Sequence, residues 1–86
     1  MMSKKIVLNL ESGLHARPVS KIISFLHGRT GSFTMKYKDN TADCKSAIGL
    51  LMLGVQPNAE VEIAVESDNK ETDLKDFADF LQVLDD

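Results

Sequence analysis

Polar and apolar residues alternate along the start of the chain, with Ile6, Leu8 and Leu10 set against Lys5, Val7 and Asn9. A period of two predicts a first strand with one face on a core. The spacing then changes: Val19, Ile22, Ile23 and Leu26 fall at i, i+3, i+4 and i+7, which places all four on one side of a helix ending at His27-Gly28. Phe33, Met35 and Tyr37 restore the strand period, and Lys38-Asp39-Asn40 supplies a turn into a short strand from Thr41 to Cys44. Behind Ser46, the residues Ile48, Leu51, Met52 and Val55 return to helical spacing, closed by Gly54 and a Pro57-Asn58 turn. Val61, Ile63 and Val65 alternate with Glu62, Ala64 and Glu66 as a strand with one wet face. Asp68, followed three residues later by Glu71, resembles a capping box ahead of a last helix striped by Leu74, Phe77, Ala78, Leu81 and Leu84.

The order is βαββαβα. Four one-faced strands and three one-striped helices bury their apolar surfaces together if the helices cover one side of a mostly antiparallel four-stranded sheet, an α+β fold. The first two strands, joined through a helix, run parallel with a right-handed crossover and leave room for another strand between them.

Composition narrows this further. Eighty-six residues, 43% hydrophobic and 27% charged, describe one domain. A net charge of -3 and a pI near 5.2 argue against a nucleic-acid binder, which presents a basic stripe to phosphates. No apolar run is long enough for membrane insertion, and the lone Cys44 allows neither an internal disulfide nor a structural zinc site. The expectation is a soluble, cytoplasmic monomer with no metal and no cofactor.

The chemistry lies in Gly13-Leu14-His15-Ala16-Arg17-Pro18, between the first strand and the first helix. Proline lacks an amide hydrogen and clashes with a preceding helical turn, so Pro18 belongs to the first turn and the helix starts near His15 to Arg17. The amides of Ala16 and Arg17 then have no helical acceptor and point out of a helix end that attracts anions. Arg17 adds a guanidinium fork shaped for phosphate oxygens, and Ser12 offers a hydroxyl from the loop. Neutral imidazole is a nucleophile that needs no separate base, which suits His15 to carrying a phosphoryl group. A histidine at a helix start is equally an ordinary capping residue and an arginine ordinary surface charge, so the residues alone permit a phosphosite without requiring one.

This segment resembles the active-site signature of the HPr family, the histidine-containing phosphocarriers of the bacterial phosphoenolpyruvate-dependent sugar phosphotransferase system. The resemblance extends to the length, the element order, Lys45-Ser46 and Leu53-Gly54. It implies an open-faced β-sandwich forming one HPr domain over residues 1–86. It also implies that His15 accepts phosphate on Nδ1 from phosphorylated enzyme I and passes it to the A domain of a sugar-specific enzyme II, with Arg17 stabilising the phosphate. In this reading the chain is a carrier, not an enzyme, and its docking surface includes Ser20, Ile48 and Leu51.

At Ser46 the family's regulatory serine is implied, with HPr kinase/phosphorylase and a catabolite-control transcription regulator as further partners. A plain helix cap is the other reading, and the residues leave both open. Ala47 is smaller than the apolar residue family members often carry there. His27 reads as a cation complementing a helix C-terminus, and Cys44 as a small buried hydrophobe. Two alternatives accompany the phosphocarrier: a regulatory binding module of the same fold, whose family members replace the histidine retained here, and a carrier of the nitrogen-related branch, which shares the motif.

Overall fold

The computed structural model describes residues 1–85. Its elements are β1 (Met2–Val7), α1 (Ala16–Leu26), β2 (Ser32–Tyr37), β3 (Asn40–Asp43), α2 (Ala47–Met52), β4 (Glu60–Glu66) and α3 (Lys70–Gln82). The sheet order is β1-β4-β2-β3, and every neighbouring pair is antiparallel. β4 therefore fills the slot between β1 and β2, which run parallel to each other across it.

Register explains why one face is dry. Ile6 pairs with Val61, Phe33 with Val65, and Met35 with both Ile63 and Ala42, so these side chains project together toward the helices. On the other face Lys5 and Lys36 flank Glu62 from either side, a cross-strand arrangement of opposite charges suited to water. Phe77 of α3 meets Phe33 of β2 edge-on at 5.6 Å, and Phe80 stacks on Phe25 of α1 at 4.2 Å, which joins the two long helices above the sheet. The core is contiguous, and no buried residue in it is polar or charged among the described residues.

Three local expectations are corrected. β1 begins earlier and ends at Val7, so Leu8 and Leu10 keep their burial in the loop beyond it. The stripe expected to bury α2 holds only at Val55, which is buried beyond the helix end: Ile48, Leu51 and Met52 are 71%, 42% and 80% exposed, while Leu50 and Leu53 turn inward. α3 is capped by Asn69 rather than Asp68, without a side-chain cap bond; Ser67 Oγ instead donates to Asp73 Oδ2 at 2.7 Å.

Candidate functional site

Leu8 and Leu10, each 1% exposed, pull the chain after β1 down onto the core, and Leu14, at 5%, pins it again one residue before His15. Between these anchors the chain turns at Glu11-Ser12, with the Gly13 amide donating to the Leu10 carbonyl at 3.1 Å. The segment is thus short, tethered at both ends and lifted toward solvent in the middle.

His15 is the N-cap of α1, in extended backbone conformation, and its carbonyl accepts the first helical bond from the Val19 amide at 3.1 Å. Its imidazole is half-buried and makes no side-chain cap bond to the helix. Pro18 lies buried in the first turn, where its missing hydrogen costs no bond. Among the described residues the amides of Ala16 and Arg17 donate to no backbone carbonyl, and the first turn of α1 holds no acidic side chain. Arg17 is exposed and enters no ion pair among the described residues. The first turn thus brings no acid of its own to offset the positive partial charge of the helix end, and it holds Arg17 behind the His15 N-cap. Ser12 is exposed in the adjoining turn.

One part of the site's surroundings escaped the sequence reading. The loop after α2 stands behind the His15 segment, with the Leu14 amide donating to the Val55 carbonyl at 3.1 Å and the Asn58 amide to the Leu10 carbonyl at 3.3 Å. The Gly54 and Pro57-Asn58 signals marked this loop as a turn without revealing what it packs against.

The other singled-out residues lie elsewhere. Ser20 is exposed on α1, and the outward face of α2 lies on the helix packed beside α1. Ser46 is the N-cap of α2, and its Oγ accepts from the Gly49 amide at 3.1 Å. The neighbouring Lys45 Nζ donates to the carbonyls of Arg29 and Gly31 at 2.6 and 3.0 Å, which fastens the start of α2 to the far end of α1. His15 stands at the start of α1, whereas Lys45, next to Ser46, is bonded to carbonyls beyond its end. His27 caps the C-terminus of α1, where Gly28 adopts φ +83°. Cys44 is fully buried, and burial, aided by the Asp43 carboxylate, pushes its thiol up to about 12. No group of His, Cys, Asp and Glu among the described residues is arranged to hold a metal ion, and no described helix is long and apolar enough to cross a membrane.

The family model for the PTS HPr component phosphorylation site matches residues 2–82. The chain belongs to the PTS-HPr family. The match runs from the first residue of β1 to the last of α3, so every element is part of the PTS-HPr pattern. Among curated proteins, phosphocarrier protein HPr of Chlamydia trachomatis is 29% identical over 65 residues, which are 76% of this chain and 60% of that relative. The chain thus spans less than two thirds of that relative's length. Among solved structures, HPr-C-His from Thermoanaerobacter tengcongensis superposes with a TM-score of 0.85 at 25% identity, covering 94% of this chain and 91% of that one. Phosphocarrier protein HPr from Bacillus anthracis gives the same TM-score at 22% identity, over 94% and 96% of the two chains, and shares the open-faced fold.

Proposed function

We propose that the chain is a phosphocarrier of the phosphoenolpyruvate-dependent sugar phosphotransferase system, with His15 as the residue that carries the phosphoryl group. The observation that supports this reading is the start of α1, where, among the described residues, the Ala16 and Arg17 amides donate to no backbone carbonyl, His15 is the N-cap residue and Arg17 follows in the first turn. Phosphoryl transfer asks mainly for positioning and for charge stabilisation of the equatorial oxygens, and amides with a guanidinium supply both. The Nδ1 lone pair of His15 forms a bond to phosphorus as the bond to enzyme I breaks. Attack by the A domain of an enzyme II then reverses the step and returns the neutral ring. Catalysis belongs largely to those partners, and the chain acts as carrier.

Ser20 and the exposed Ile48 and Leu51 are the proposed docking surface, whose modest size suits a partner that must leave quickly. Ser46 is the proposed regulatory phosphoserine. A phosphate there adds negative charge at a helix start that tolerates it, while weakening docking on the adjacent apolar face.

The test is incubation with phosphoenolpyruvate and enzyme I. One acid-labile phosphoryl group is expected on the wild type and none on His15→Ala; an unlabelled wild type defeats the carrier reading. Incubation with ATP and HPr kinase, followed by mapping of acid-stable phosphate, decides Ser46.

A further inference from the structure

Gly13 sits at φ +74°, a left-handed backbone conformation that strains any residue bearing a Cβ. It is also cramped. A Cβ at this position would lie 2.5 Å from the Val55 carbonyl oxygen and 3.4 Å from main-chain atoms of both Gln56 and Pro57. These obstacles are backbone, so they cannot swing aside as a side-chain tip would. The same Val55 carbonyl accepts from the Leu14 amide, and the Leu10 carbonyl accepts from both Gly13 and Asn58. Two loops far apart in sequence are therefore pressed together without space for a methyl group, immediately ahead of the half-buried His15. Gly28 makes an informative contrast, because it too has positive φ, +83°, yet a Cβ there meets nothing within 4 Å.

Resting on the phosphocarrier reading of His15, we infer that Gly13 is a positioning residue for phosphoryl transfer. The Val55 carbonyl, seated against it, is the backstop that sets where the imidazole stands over the first turn of α1. A Cβ at position 13 lifts the loop away from that backstop, and Leu14 and His15 move with it. The imidazole is then displaced from its place at the start of α1, while the outward face of α2 is unchanged. Docking survives and chemistry suffers.

The experiment compares Gly13→Ala with Gly28→Ala. Both carry the cost of a Cβ at positive φ, so both lower the melting temperature. Only Gly13→Ala is expected to slow phosphorylation by enzyme I, by about tenfold to a hundredfold in kcat, the penalty of a misplacement near 1 Å, with KM unchanged. It also changes the hydrolysis rate of the isolated phospho-form, a property independent of any partner. A variant with one glycine inserted between the exposed Gln56 and Pro57 slackens the backstop without a clash, and serves if Gly13→Ala does not fold. A fall in kcat there at constant KM supports the inference, and a wild-type rate overturns it. Equal rates in Gly13→Ala and Gly28→Ala likewise overturn it while leaving the carrier reading intact. An unlabelled wild type overturns both.

Discussion

The starts of α1 and α2 solve the same problem in opposite ways. Each helix begins with amides that lack an intrahelical acceptor. At α2 the chain supplies its own partner: Ser46 Oγ takes the Gly49 amide, Lys45 is fastened to two carbonyls, and the nearby Cys44 is sealed from water. At α1 the cap is a histidine without a cap bond, no first-turn acid compensates the dipole, and the arginine is exposed. α3 takes a third course, with Glu71 and Asp73 in its first turn. The contrast bears on the proposed phosphosite: among the described residues the Ala16 and Arg17 amides meet no backbone acceptor, which is what an anion docking at α1 would use.

Measurements can break this contrast. The largest effect concerns the reactive side chain beside each start. With its thiol pushed up by burial from the ordinary 9.0 to about 12, Cys44 should show a thiolate fraction near pH 8 on the order of a thousandfold below that of an exposed cysteine. Alkylation by iodoacetamide should accordingly be negligible until the protein unfolds, and ready modification of native protein would show that the α2 end is not sealed. The same shift sets a pH dependence. Between about 9 and 12 the unfolded chain has lost its thiol proton and the folded one has kept it, so stability falls as pH rises through this window. Below it the contribution is fully present, up to about 4 kcal/mol. The urea midpoint of Cys44→Ala should be flatter over this range than that of the wild type.

Next in size is Arg17→Ala. Loss of a charged donor at the open start should slow phosphoryl transfer by about a hundredfold, with the melting temperature unchanged because the side chain is exposed and enters no ion pair among the described residues. An unaltered rate removes its assigned role. Ser46→Ala tests the closed start from the other side: removal of an N-cap should cost about 1 kcal/mol, seen as a drop of roughly 4–8 °C in melting temperature for a domain of this size. His15 labelling should continue in that variant. The smallest effect is direct. Inorganic phosphate should move the amide resonances of Ala16 and Arg17 with a Kd on the order of 10 mM, as expected for a dipole and one guanidinium, and leave Gly49 still. Equal movement of all three would erase the distinction.

How much of this was legible in the chain depends on the length of each pattern. The alternation through Val61, Ile63 and Val65 and the stripe along α1 ran long enough to fix both period and phase, and each faces the core as expected. Pro18 fixed the start of α1 through steric exclusion alone. α2 has only six residues, so its apolar positions fit a helix in more than one phase; packing against α1 chose Leu50 for the inside and left Ile48 and Met52 in water. The Asp68 box gives way to a start one residue later, at Asn69, and the side-chain bond nearby is Ser67 Oγ to Asp73 Oδ2. The Val55 backstop was out of reach, since no local pattern announces which loop a glycine will be pressed against.

The position of β4 sets a schedule for making this protein. β4, an inner strand of the sheet, is the last of the four to leave the ribosome; β1 depends on it for all of its pairing and β2 for one of its two edges. Until Glu66 has emerged, the β2–β3 hairpin has no sheet to join and β1 has no neighbour. The sheet therefore assembles in one late event, when long loops close together, and not strand by strand during synthesis.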